Sequence, residues 1–184
     1  MKKLISVALV FLMVVSLLAS CGKKNQTLKE AKVDGFVDRF VDAAKEAAKT
    51  DETVQEPEVE VIEWEKYNET QLTYNETTTI EIYSDPVTET VNGVNLRVYT
   101  KAETRDSDVQ YFLNQVKSVI KMSDPKASDS QINNLIDLFT AAVPDPAAEG
   151  YTGVSARTEA LNDISYMVYY DFTTEPGVME LLVS

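Results

Sequence analysis

The chain has 184 residues, no His and a single Cys, with 30 acidic side chains against 17 basic ones and a formal net charge of −13. With that inventory it can build no disulfide, no Cys/His zinc site and no His general base, so an enzyme would have to work with carboxylates, Lys, Tyr or Ser. The acidic balance excludes nucleic acid as a partner, because such binding rests on Lys and Arg neutralising phosphates.

Met1-Lys2-Lys3 opens a segment whose residues 4–18 carry no charge. A basic start, a short apolar middle and small residues before a cut are the parts of a secretory signal. Ser20, Gly22, Lys23, Lys24 and Asn25 close the run too soon for a membrane span of about 20 apolar residues. Its end, Leu18-Ala19-Ser20-Cys21, resembles the lipobox of bacterial lipoproteins. The resemblance implies recognition of Leu18, Ala19 and Ser20 by a signal peptidase, removal of residues 1–20, lipidation of the Cys21 thiol and acylation of the new amine. Each buried methylene contributes about 0.8 kcal/mol, and two acyl chains suffice for stable residence. The expected product is therefore anchored to the cell membrane through Cys21, on the extracytoplasmic face. Cys21-Gly22-Lys23-Lys24, with no Asp after the Cys, resembles lipoproteins of single-membrane bacteria. Loss of Lys2 and Lys3 takes the formal charge to −15, which favours solubility and spacing from a negative envelope.

After a lipidated tether over 21–26, Thr27-Leu28-Lys29-Glu30 reads as a capping box and predicts a helix over 27–50. Leu28, Ala31, Phe36, Phe40, Ala44 and Ala47 fall near helical spacing behind it. Asp34, Asp38 and Asp42 form a slanting row, read as a solvated face in preference to a cation site. An acidic spacer over 51–57 leads into a domain over 58–184. There Val59 and Val61 alternate with Glu58, Glu60 and Glu63, which predicts a Glu-protected edge strand with a bulge near Val61 and Ile62. Trp64, the only Trp, is expected in the core or at a docking surface. Tyr67-Asn68-Glu69-Thr70 and its repeat Tyr74-Asn75-Glu76-Thr77 read as turn chemistry. A strand is expected over 77–83. A hairpin follows, 87–91 and 94–100 flanking Asn92-Gly93, a dipeptide suited to positive φ at both turn positions.

Ser107-Asp108-Val109-Gln110 and Ser128-Asp129-Ser130-Gln131 read as two further helix starts. Their stripes are Val109, Phe112, Leu113, Val116, Val119 and Ile120, then Ile132, Leu135, Ile136, Phe139 and Val143. Ser123-Asp124-Pro125 and Pro144 are the stops. A second hairpin, 154–161 and 164–172, flanks Asn162-Asp163, and 178–183 adds a last strand. The order implies an α+β fold: an antiparallel sheet of about five or six strands with a two-helix layer on one face, preceded by an N-terminal helix.

Catalytic motifs are scarce. Ser118-Val119-Ile120-Lys121 fits S-x-x-K of penicillin-binding enzymes, but the partner motifs are absent and Ser118 is expected on the surface, off the apolar stripe. Asp106-Ser107-Asp108 lacks the Gly and Glu of a calcium loop. No catalytic residue, metal ligand or cofactor is assigned. Tyr99 and Tyr169 point away from their apolar neighbours and would form an exposed pair if their strands were adjacent. With Trp64 they make the candidate binding surface. The expected function is a cell-envelope lipoprotein with a non-catalytic binding or accessory domain and an envelope-protein partner. The alternative is a carboxylate-dependent hydrolase of envelope polymers, which requires a cleft with paired carboxyls. A purely accessory role predicts that residues 27–50 pack loosely and leave Phe36 and Phe40 uncovered.

Overall fold

Alternation of apolar and polar side chains sorts the strands into two faces, and all the described helices gather on the apolar one. A computed structural model describes residues 26–49 and 54–184. Leu18, Ala19, Ser20, Cys21, the signal segment, nearly all of the tether and part of the acidic spacer lie outside the described residues.

Glu30 closes on Thr27 as its spacing requires, its carboxylate accepting from the Thr27 N–H at 2.9 Å. What it caps is only a 3-10 turn, Leu28–Glu30. Residues 31–33 are drawn into strand-like pairing instead. Lys32 bridges Thr90, the Val33 N–H donates to the Glu89 carbonyl at 2.9 Å, and the Val91 N–H donates to the Ala31 carbonyl at 3.1 Å. Helix α1 therefore starts late, at Val33–Ala48, and the expected single helix over 27–50 is split. Leu28, Ala31, Phe36, Phe40, Ala44 and Ala47 are all buried, and the Phe36 and Phe40 rings meet edge-on at 5.5 Å. Phe36 and Phe40 are 0% and 1% exposed and belong to one core cluster with the sheet. This overturns the loose packing that a purely accessory role predicted. Asp34 and Asp38 are exposed and Asp42 is half-buried.

The strands are β1 (Glu58–Glu63), β2 (Asn68–Asn75), β3 (Thr78–Ser84), β4 (Val91–Thr100), β5 (Val154–Leu161), β6 (Ile164–Asp171) and β7 (Gly177–Val183). They form one sheet in the order β1-β2-β3-β4-β7-β6-β5, antiparallel throughout. The C-terminal strand thus joins a four-strand meander to a hairpin. Among the described residues, seven strands replace the expected five or six. β2 was hidden in the repeat read as turns: Asn68 begins the strand, and of its residues only Thr70 and Leu72 are buried. The second copy ends that strand with Tyr74 and Asn75 and turns at Glu76 and Thr77, where the Asn75 side-chain oxygen accepts from the Thr77 N–H and hydroxyl, both at 2.9 Å.

Asn92-Gly93 is not a hairpin turn. β4 continues through it, with a register shift against β3 that leaves Asn92 without an opposite residue while Gly93 faces Tyr83. A Cβ on Gly93 would stand 3.0 Å from the Val183 carbonyl oxygen, so the glycine serves close strand approach rather than positive φ. The turn lies earlier, where the Asp85 carboxylate accepts from the Val87 and Thr88 N–H groups at 2.9 and 2.6 Å and Glu89 takes φ 57°. β1 occupies an edge as expected, but without the bulge at Val61 and Ile62. Its pairing runs unbroken from Glu58 opposite Thr73 to Glu63 opposite Asn68. The second hairpin forms as read, with Asn162 and Asp163 at φ 49° and 66° and Leu161 opposite Ile164.

Helices α2 (Arg105–Ser123) and α3 (Asp129–Thr140) complete the layer. Ser128 and Gln131 form the expected capping box. Ser107 does not: α2 starts two residues earlier, the Thr104 hydroxyl donates to Asp108 at 2.6 Å, and Ser107 donates back to the Thr104 carbonyl at 2.7 Å. Ser118 is buried rather than on the surface, donating to the Asn114 carbonyl at 3.2 Å. α2 is enclosed by α1, α3, β4 and β7, so more of its circumference is covered than one apolar stripe implies. α1, α2 and α3 all share one core with the inward side of the sheet.

Candidate functional site: the open sheet face

Strand pairing carries each side chain to one of two faces. Leu72, Ile80, Leu96, Leu181 and Val168 lie in register on the helix side. Glu60, Gln71, Glu81, Asn95, Leu182, Met167 and Thr158 form the neighbouring row on the other side. No described helix contributes to that second face. Leu182 and Tyr99 on it remain 37% and 36% exposed.

The centre of the open face is a polar cluster built by three adjacent strands. Arg97 of β4 places Nε 2.6 Å from Glu180 of β7 and one terminal nitrogen 3.1 Å from Glu81 of β3. The second oxygen of Glu81 accepts from the Tyr83 hydroxyl at 2.6 Å and from the Asn95 amide at 3.1 Å. Pairing fixes this arrangement, because Glu81 stands opposite Asn95 and Arg97 opposite Glu180. Burial alone would lower the Arg97 pKa, but the bond to Glu180 and the charge of Glu81 outweigh it and raise it. The Tyr83 phenol is pushed up by burial and by its bond to Glu81. Both carboxylates are committed to one guanidinium on an open surface, so neither is disposed across a cleft.

Beside this cluster runs an aromatic arc. The Trp64 and Tyr67 rings are 5.9 Å apart and tilted, and Tyr67 meets Tyr83 edge-on at 5.6 Å. The Trp64 indole N–H donates to Glu69 at 3.2 Å. Trp64 is 50% exposed, so of its two expected places it takes the surface. Tyr99 and Tyr169 both face outward, yet they are not a pair. β7 lies between their strands, with Val178 opposite Tyr99 and Glu180 opposite Tyr169. The Tyr169 hydroxyl donates to Asp171 at 3.3 Å. Its pKa is raised by desolvation and then by Asp171, whose own pKa is lowered by bonds from Thr173.

Tyr67, Glu81, Tyr83, Asn95 and Glu180 were missed in the sequence. The outward alternation of Glu81 and Tyr83 against Ile80 and Ile82 was legible, but nothing in the sequence showed that β7 would bring Glu180 to Arg97. Acidic residues dominate the face: Glu58, Glu60, Glu69, Glu81, Asp171 and Glu180 share it with Arg97 as the opposing base.

Two other features bear on chemistry. Asp124, fully buried after α2, accepts from the Asn162 amide at 2.6 Å and from the Lys126 N–H at 3.2 Å. It ties the β5–β6 turn to the helix layer and reaches no open space. Two depressions lie near the start of α2. One of about 260 Å³ is lined by Arg105, Asp106, Val109, Thr140, Val143 and Pro144. One of about 50 Å³ involves Thr100, Arg105, Phe172 and Glu175. Each contains a single carboxylate, so neither offers the paired carboxyls of a glycoside hydrolase. Compared with protein-family models, curated proteins and solved structures, the chain finds no match in any of the three.

Proposed function

We propose that this is a cell-envelope lipoprotein, held on the extracytoplasmic face of the cell membrane by acyl chains on Cys21, whose α+β domain binds a protein partner without catalysis. The anchor rests on Leu18-Ala19-Ser20-Cys21 behind an uncharged run and a basic start. The binding role rests on one observation: a sheet face free of described helices that combines exposed Trp64, Tyr67 and Tyr99 with an acidic surround. Aromatic side chains are enriched where one surface docks on another. The charge balance of the face selects a partner with a basic surface, drawn in faster at low ionic strength.

Two experiments test this reading. Radiolabelled palmitate is expected to enter the wild-type chain and not a Cys21→Ala variant, which is released from the membrane. Equal labelling or equal retention of the variant refutes the anchor. For the binding role, the membrane-bound protein is crosslinked and its partners identified, alongside a Trp64→Ala/Tyr99→Ala/Tyr169→Ala variant. A basic protein recovered with wild type, lost from the variant and weakened by salt supports the reading. Recovery that ignores both the substitutions and the salt refutes it.

A further inference from the structure

The two edges of the sheet are chemically unlike, and the difference bears on whether another strand can add to them. β1 carries Glu58, Glu60 and Glu63 and no base, so pairing with a second β1 would bring acids together with nothing to neutralise them. β5 carries one base and one acid, Arg157 and Glu159, two residues apart. We propose that β5 pairs antiparallel with β5 of a second copy of this chain, centred on Thr158, to make one continuous sheet across a two-fold axis. This inference stands apart from the proposed binding face.

Backbone geometry sets the register. The Phe172 N–H donates to the Gly153 carbonyl at 2.8 Å, and Gly153 begins the run of odd-numbered residues that exchange hydrogen bonds with β6. In an antiparallel ladder the alternate residues direct N–H and C=O the other way. Those of Val154, Ala156, Thr158 and Ala160 therefore point to the free edge. Val154 is already occupied, its carbonyl accepting from the Thr152 hydroxyl at 3.1 Å and its N–H donating to the same oxygen at 3.4 Å. The groups of Ala156, Thr158 and Ala160 are left for a partner strand.

A two-fold axis through Thr158 uses every one of them. Thr158 pairs with the second copy's Thr158, and Ala156 pairs with its Ala160. The same register sets Arg157 opposite Glu159 of the second copy, twice over. These fall at the non-hydrogen-bonded sites, where side chains across a ladder approach most closely. Arg157 and Glu159 now bond each other within one chain at 2.8 Å, with side chains 36% and 29% exposed. They lie on the helix side of the strand, as Val168 and Tyr166 opposite them show. No other register of this strand opposes the base to the acid. On the outward side, Ala156, Thr158 and Ala160 are small, uncharged and exposed, so nothing bulky bars approach.

The test uses the full chain, whose only native thiol is Cys21. Hydrogen-bonded cross-strand Cα atoms lie about 5.5 Å apart, within the range of about 4.4–6.8 Å that a disulfide spans. Thr158→Cys, on the axis, is expected to give a covalent dimer in membranes under mild oxidation, and so is the Ala156→Cys/Ala160→Cys double variant. Ala156→Cys alone is expected to give none, since two such positions stand well beyond disulfide reach. In the Thr158→Cys background, Arg157→Glu or Glu159→Arg is expected to slow crosslinking roughly tenfold by setting like charges opposite each other. The exchanged pair, Arg157→Glu with Glu159→Arg, keeps the intrachain bond and is expected to restore the rate. Crosslinking of Ala156→Cys as fast as Thr158→Cys, absence of the Thr158→Cys dimer, or failure of the exchanged pair to restore it overturns the proposal. A shared thermal transition among the variants separates lost pairing from lost folding.

Discussion

Two tyrosines of β6 offer a test of the core in which one substitution has opposite consequences four residues apart. Tyr166 and Tyr170 are both 0% exposed and share the helix side of the sheet. The Tyr170 hydroxyl donates to the Phe139 carbonyl at 3.1 Å, and its ring meets Phe112 edge-on at 5.8 Å. The Tyr166 hydroxyl has no hydrogen-bond partner among the described residues. Burial and then the Asp124 carboxylate raise its pKa. A buried hydroxyl without a partner carries a desolvation penalty of about 1–3 kcal/mol. Tyr166→Phe removes that hydroxyl and keeps the ring. Set against the small void left by one oxygen, the net is a gain of about 1 kcal/mol. Tyr170→Phe gives up a made bond. The Phe139 carbonyl still accepts from the Ala142 N–H at 3.1 Å, so the loss is limited to about 1 kcal/mol. The variants should therefore differ by about 2 kcal/mol in urea unfolding with unchanged m-values. For a chain of this size that is several degrees in Tm. Equal destabilisation by both would show that the Tyr166 hydroxyl has a partner and that the reasoning fails.

Phe36→Ala should cost about 3–5 kcal/mol in urea unfolding; a loss under about 1 kcal/mol would mean that α1 is appended to the domain rather than part of its core. Arg97→Leu strands Glu81, whose side chain is 11% exposed. The expected cost is about 2 kcal/mol after allowing for the partial exposure of the pair. Adding Glu81→Gln should recover part of it, and strict additivity would contradict the cluster. Glu30, Asp85 and Asp171 have pKa values held below their ordinary 4.5, 3.8 and 3.8 by hydrogen bonds from Thr27, Thr88 and Thr173, respectively. A folded-state pKa below the unfolded one contributes stability that is full above the unfolded value and lost as pH falls through the folded one. Thermal stability should therefore decline as pH drops below about 4.5, and Asp85→Asn should make the decline shallower. A decline already complete at pH 6 would assign it to other groups.

Helices were legible where local chemistry and tertiary packing agreed. Ser128 and Gln131 cap α3 as read, and the stripe through Phe112, Val116 and Ile120 is buried. They disagreed where backbone groups had a better use. Thr27 and Glu30 form their local contact, yet residues 31–33 pair with residues 89–91, so the capping signal was right and the length was wrong. Asn162-Asp163 and Asn92-Gly93 carry similar turn signals. The first becomes a turn because apolar alternation on both sides lets its strands pair with each other. The second is overridden because residues 94–100 find β3 and β7 instead, and the glycine serves close approach. β2 escaped because one apolar side chain, Leu72, and Thr70 are enough to seat it between two neighbours.

Strand order was carried by a signal weaker than periodicity, the apolarity of each strand summed over both faces. β7 is apolar on both sides, with Met179, Leu181 and Val183 inward and Val178 and Leu182 outward. A strand with neighbours on each side keeps more of that surface from water than an edge strand does, and β7 is an interior strand, between β4 and β6. β5, with Ser155, Arg157 and Glu159 directed toward the helices, cannot cover a core and lies at an edge. β1 carries acids and lies at the other. The one charge inside β7, Glu180, then has to meet a base, and Arg97 is the base that an adjacent outward position supplies. The open face is thus a consequence of where β7 inserts: the strand that completes the core also completes the polar cluster on its reverse side. Moving β7 to an edge would separate Glu180 from Arg97 and dissolve the site, which makes the candidate surface inseparable from the topology that builds it.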